Sequence, residues 1–177
     1  MKTFLLSLSL AGTLALPALA QDADAALATL QELANTGAEG DVPHVAITAD
    51  GCMLTSSTTA VSSQLGAPMT ATATVDAREL FPAAFTPDPK EDRFNIWIPR
   101  EDQAPIELTM ILDNDDPTLR ETFAAGLGAD CSAAGPCSAT QAAPRMPVVF
   151  YVAGEEAGMD RARAFSTALS DFAAACG

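Results

Sequence analysis

Hydrophobic residues recur at helical spacing at both ends of the chain, and between these ends they alternate with polar residues. Residues 22–36 repeat leucine and alanine on one stripe, and Gly37 follows as a helix stop. Residues 160–176 place Phe, Leu, Phe and Cys at spacings of four, three and four. Each end therefore predicts a helix with one apolar face, which needs a sheet to cover it.

Six segments between these ends have the pattern of β-strands. Five of them alternate, and the sixth is a continuous apolar run, typical of a strand covered on both faces. Asp50-Gly51 favours a two-residue turn between the first two strands, and residues 99–105 predict a longer hairpin between the fourth and fifth. The predicted strands are residues 44–49, 52–58, 69–75, 93–98, 106–112 and 146–152.

The remaining segments complete the predicted fold. Asp116 followed by Pro117 predicts a cap and the start of a helix of about three turns. Residues 86–92 have the composition of an exposed loop, and residues 126–147 show little periodicity. The pattern predicts an α+β fold, a single domain with a mainly antiparallel sheet of about six strands covered by N- and C-terminal helices.

Residues 1–20 have the pattern of a cleaved signal peptide. Lys2 is followed by a short apolar stretch and by Ala18-Leu19-Ala20, a small-x-small cleavage site. The mature chain is then residues 21–177, a single disulfide-stapled α+β domain that is exported to the periplasm or secreted. Because the apolar stretch is short for a bilayer core of roughly 30 Å, we expect no membrane insertion after cleavage.

The charge of the chain limits its partners. It has 23 acidic and 9 basic residues, with a formal net charge of −14. Such a surface repels phosphates, which argues against a nucleic acid partner. Solubility is a sufficient explanation of the acidity.

The four cysteines predict two disulfides, because their number is even and the chain is predicted to be exported. Three pairings are possible. Cys131 and Cys137 enclose a short turn-prone segment, which favours a bridge between them and a second bridge between Cys52 and Cys176. The hairpin register and the helical stripe point Cys52 and Cys176 towards the core, and no C-x-x-C motif is present.

Candidate catalytic and metal-binding residues are few. His44 is the only histidine, so any Ser-His-Asp mechanism needs it as the base, but the pattern favours a partly exposed histidine at a strand end and leaves His44 a weak candidate. Asp113, Asp115 and Asp116 are candidate calcium ligands, but this stretch lacks the Gly and Glu of an EF-hand and also has the pattern of a polar turn that caps a helix. Gly-rich phosphate loops are absent, and no cofactor is predicted.

Trp97 is the candidate centre of a ligand or partner surface. It alternates with Ile96 and Ile98 and shares the opposite side of its predicted strand with Arg93 and Asn95. A second helix layer would bury it; otherwise an exposed Trp on a strand marks a binding surface. The favoured function is an exported, non-enzymatic binding or accessory module for a protein or a small apolar ligand. The alternatives are a small metal-independent hydrolase with His44 as base and a calcium-stabilised structural domain.

Overall fold

The computed structural model describes residues 16–131 and 135–176, with side-chain surroundings from residue 22 onward. This part of the chain contains three α-helices and eight β-strands. The helices are α1 Leu16–Ala34, α2 Pro117–Leu127 and α3 Glu155–Ala175. The strands are β1 His44–Asp50, β2 Met53–Val61, β3 Pro68–Asp76, β4 Thr86–Pro89, β5 Phe94–Ile98, β6 Ile106–Leu112, β7 Cys137–Ala143 and β8 Met146–Phe150.

The strands form two antiparallel sheets. One sheet has five strands in the order β1-β2-β3-β6-β7, and the other has three in the order β4-β5-β8. Helices α1 and α3 flank the sheets, which confirms the predicted α+β class with terminal helices. The described strands number eight in two sheets rather than about six in one, and the sequence pattern misses β4 and β7.

Strand β4 corrects the predicted loop over residues 86–92. Pro87 and Pro89 lack backbone N–H groups and so suggest a loop, but they alternate with Thr86 and Asp88 along the strand. Because β4 lies at the edge of the three-stranded sheet, only one of its sides pairs with a neighbour. Prolines are tolerated at such an edge. Strand β7 is missed for another reason: apart from its first residue it consists of small and polar side chains, which carry little alternation.

The turn of the first hairpin lies one residue later than predicted. Asp50 pairs with Met53 and Ala49 with Leu54, so the turn residues are Gly51 and Cys52. A turn at Asp50-Gly51 would have paired Ala49 with Cys52, so the predicted register is wrong. Only Gly51 has a positive φ, 55°, which suits a turn with Gly at its first central position; a type I′ turn would require positive φ at both.

Strands β5 and β6 belong to different sheets, so the predicted hairpin across residues 99–105 is wrong. β5 pairs with β4 and β8, whereas β6 pairs with β3 and β7. At the start of the connection, the backbone of Arg100 pairs with that of Leu80 in an isolated antiparallel β-bridge. The Arg100 guanidinium also binds Glu79 at 3.3 Å and Asp102 at 2.9 Å. These contacts hold the segment where the chain passes from one sheet to the other.

The main core lies between the two sheets and helices α1 and α3. Rings of Phe150 and Phe165 meet edge to face there, with centroids 5.5 Å apart. A second cluster lies beneath α2, around Met110, Leu112 and Phe123. The prediction that β8 is covered on both faces is wrong, because its residues alternate between buried and half-buried positions.

The helices differ from their predicted limits. Helix α1 begins at Leu16 rather than residue 22, and α3 begins at Glu155 rather than residue 160. Residues 1–15, which hold most of the predicted signal peptide, lie outside the described residues. Among the described helices, none combines the length and apolar character needed to cross a membrane.

Candidate functional site

The partly exposed side of the three-stranded sheet brings the predicted surface residues together. We call this side the outer face; it is formed by Asp88, Arg93, Asn95, Trp97, Val149 and Tyr151. Strand β5 lies at the centre of the sheet and buries Phe94, Ile96 and Ile98 on the opposite side. The strict alternation of β5 therefore directs Trp97 and Asn95 outward, and Trp97 is half-buried rather than enclosed.

A carboxylate next to Trp97 organises the polar part of the outer face. Asp88 accepts hydrogen bonds from Lys90 Nζ at 2.7 Å and from Asn95 Nδ2 at 3.3 Å. These bonds, with a further one from the Trp97 side chain, lower the pKa of Asp88 despite some desolvation. Asp88 therefore stays ionised near neutral pH and orients the Asn95 side chain.

Asn95 leaves one hydrogen-bonding atom unused. Its Oδ1 is buried and has no hydrogen-bond partner among the described residues. The contact of Nδ2 with Asp88 sets the orientation of the amide, because the reverse orientation would place two acceptor oxygens together. A buried acceptor without a donor is unfavourable, and because this oxygen is buried, a partner on the outer face would not contact it directly.

Sequence reasoning missed three residues of the outer face, namely Asp88, Val149 and Tyr151, and also the neighbouring Arg145. Tyr151 follows β8 directly. Burial raises the pKa of Tyr151, and two smaller effects act on it: the charge of Arg93 lowers this pKa and the charge of Asp92 raises it. The alternation of Pro147, Val149 and Tyr151 could have identified it. Arg145 donates a hydrogen bond to Thr86 Oγ1 at 3.0 Å. This contact joins the two edge strands and depends on pairing that the sequence pattern does not reveal.

His44 lies away from the outer face, at the start of β1. Its Nδ1 is 3.3 Å from the backbone carbonyl oxygen of Gly37. Within the described residues, the His44 ring has no hydrogen bond to a hydroxyl or a carboxylate. A catalytic base needs an orienting partner and a nucleophile within hydrogen-bond distance. No observation in this part of the chain therefore favours His44 as a base.

The calcium candidates lie before α2. Asp116 caps the helix: its side chain accepts hydrogen bonds from the backbone N–H groups of Thr118 and Leu119. Asn114 Oδ1 accepts from the N–H of Asp116 at 2.8 Å, and Asp113 and Asp115 are exposed. The described residues contain no group of three or more acidic, His or Cys side chains that could hold a metal ion. The cap explains Asp116 without a metal.

The cysteines form one bridge and one close pair. Cys131 and Cys137 are bonded, as predicted. Cys52 and Cys176 are free thiols in this structure, so the second predicted bridge is not formed. Nevertheless, Cys52 Sγ lies 3.4 Å from the Cys176 carbonyl oxygen. The Cys176 thiol also has a side-chain hydrogen bond with Cys52, so the two thiols lie together at the end of α3 and the turn of the first hairpin.

The five-stranded sheet also has a partly exposed side, which is lined by hydroxyl side chains. Three pairs contact one another across β2 and β3: Thr55 with Thr74 at 2.9 Å, Ser57 with Thr72 at 3.2 Å, and Thr59 with Thr70 at 2.8 Å. We call these six residues the hydroxyl ladder. Because its hydroxyls bond to each other, the ladder is stabilised within the sheet and leaves fewer groups for a ligand.

Comparisons of this chain with known proteins do not assign it to a family. A scan against protein-family models gives no match, and searches of curated proteins and of solved structures give none either.

Proposed function

We propose that the protein is an exported, non-enzymatic binding module that docks a protein partner on the outer face. One observation carries this proposal: the only Trp and the only Tyr of the chain lie on the same partly exposed side of one small sheet. Arg93 and Asn95 lie beside them. Trp, Tyr and Arg are the residues that most often dominate the binding energy of protein interfaces.

The polar groups of the outer face support a protein rather than a simple apolar partner. Basic and acidic residues are mixed here, since Arg93 pairs with Asp92 and Lys90 with Asp88. This mixture contrasts with the net charge of −14 of the chain and limits repulsion of an acidic partner.

Export is supported by two features. Residues 1–20 have the three parts of a signal peptide. The Cys131–Cys137 disulfide is compatible with an oxidising compartment such as the periplasm or the cell exterior.

The export half of the proposal predicts the N-terminus of the protein. We expect the exported form to begin at Gln21. Ala18 and Ala20 supply the two small residues that signal peptidase requires just before the bond that it cuts. Cell fractionation followed by intact mass measurement checks this. Recovery of the protein in the cytoplasm with residues 1–20 attached would contradict export.

The binding half predicts a cross-link that depends on Trp97. A photoreactive phenylalanine analogue placed at Val149, on the outer face, is expected to form one discrete adduct with one partner chain in growing cells. Trp97→Ala should reduce the adduct at least about tenfold, because truncating a central aromatic hot spot weakens an interface by about 2 kcal/mol or more and about 1.4 kcal/mol is tenfold. Mass spectrometry of the adduct identifies the partner.

The hydroxyl side of the five-stranded sheet is the matched control. Thr109→Ala should leave the adduct at Val149 unchanged, and the photoreactive residue at Thr72 should give no adduct. The proposal is wrong if no adduct forms at Val149, if Trp97→Ala does not reduce it, or if Thr72 captures the same protein equally well.

A further inference from the structure

A small apolar cavity lies between α2 and the loop that joins β2 to β3. Its volume is about 190 Å³. Met110 and Phe123 are buried at its inner side, and Met69 is half-buried beside them. None of its lining residues carries a charge; they are Ser62, Gln64, Leu65, Met69, Met110, Thr122, Phe123, Gly126 and Leu127.

Gly126 keeps space free at this cavity. It lies in the last turn of α2, where glycine is less favourable than alanine. Its φ is not positive, and a Cβ built on it would meet no atom within 4 Å. Neither backbone geometry nor close packing therefore requires glycine here. Because Gly126 has no side chain, the space above the cavity stays open.

The polar groups at the rim are mostly used by the protein itself. Ser62 Oγ accepts hydrogen bonds from the N–H groups of Gln64 and Leu65, both at 3.3 Å. Thr122 Oγ1 donates to the carbonyl of Thr118 at 2.8 Å. Gln64 has an exposed side-chain amide. A ligand in the cavity would therefore meet apolar surface inside and one available amide at the rim.

We propose that this cavity binds a small, uncharged, largely apolar molecule of about one ring in size. An apolar cavity of about 150 Å³ holds benzene, so the volume is sufficient. A charged group would lose its hydration without gaining a counter-ion, and the net charge of −14 further disfavours anions. The two methionines adapt to ligands of different shape. This site lies on the five-stranded sheet and is separate from the outer face.

Two probes of similar shape and different charge test the proposal. Benzyl alcohol is neutral and benzoate is an anion, and each is titrated into the full chain labelled with ¹³C at the methionine methyl groups. We expect benzyl alcohol to shift the Met69 and Met110 signals to saturation, whereas Met53 and Met146, which do not line the cavity, stay unchanged. Benzoate should bind at least about tenfold more weakly. Single Met→Leu variants assign the signals.

A filled cavity provides the second test. Gly126→Leu places a side chain in the open space and should weaken benzyl alcohol binding at least about tenfold. Ala125→Leu, at an exposed neighbour in the same helix, should bind like the unaltered chain. Equal binding of the two probes, shifts spread over all methionines, or no saturable shift would overturn the proposal. If Gly126→Leu does not fold, the comparison of benzyl alcohol with benzoate on the unaltered chain still tests the proposed ligand site.

Discussion

Gly158→Ala is expected to destabilise the protein by about 3 kcal/mol, although alanine normally stabilises a helix relative to glycine. Gly158 is buried in α3, where this helix crosses β5. A Cβ at this position would lie 2.7 Å from Phe94 Cβ and would also overlap the Phe94 ring. Because Phe94 is itself 1% exposed, the ring has little room to move. Denaturant unfolding measures the change.

Two further variants separate the steric clash from helix propensity. Gly126→Ala adds a methyl group with no atom within 4 Å and should stabilise the protein by up to about 1 kcal/mol. Phe94→Leu should cost less in the Gly158→Ala background than in the unaltered chain, because the smaller side chain relieves the overlap. Similar effects of the two glycine replacements would show that the close approach of α3 to β5 does not limit stability.

The second large effect concerns Cys52 and Cys176, which we expect to form a disulfide in an oxidising compartment. Exchange with a disulfide oxidant of the compartment would convert the two thiols to one bridge and transfer two protons and two electrons to the oxidant. The bridge would join positions 124 residues apart and tie α3 to the first hairpin. We expect Cys176→Ser to lower the free energy of unfolding of the oxidised protein by about 2–5 kcal/mol.

The controls use the same chain. Cys52→Ser should have a similar effect, and the Cys131→Ser, Cys137→Ser double variant should fall at the lower end of that range, about 2.5 kcal/mol, because that bridge closes a loop of only six positions. Peptide mapping without reduction gives the connectivity. Free thiols at both Cys52 and Cys176 in exported protein, or a bridge from Cys52 to Cys131, would contradict the prediction.

Ionisation of Cys176 adds a pH dependence to the reduced protein. Burial, followed by the hydrogen bond with Cys52, raises the pKa of Cys176 from 9.0 to about 12. The folded state therefore holds its proton while the unfolded thiol loses it. The stabilisation is complete below pH 9 and is lost as the pH rises from about 9 to about 12. A thiol with so little thiolate near neutral pH reacts slowly, which fits a structural bridge better than a catalytic dithiol.

The sequence determined the element types well where one face of an element is apolar. The terminal helices, the cap at Asp116 and the strand containing Trp97 follow from local periodicity and capping, which depend on residues close in the chain. The direction of Arg93, Asn95 and Trp97 away from the core is set by alternation along β5 alone. The bridge between Cys131 and Cys137 likewise connects near neighbours.

Only the tertiary structure decided which strands share a sheet and which distant residues meet. β5 and β6 are neighbours in sequence, yet β5 pairs with β4 and β8, whereas β6 pairs with β3 and β7. The addition of Tyr151 and Asp88 to the Trp97 surface depends on the pairing of β4 and β8 with β5. Periodicity shows which face of an element is buried, but the partner that buries it is chosen by packing over the whole chain.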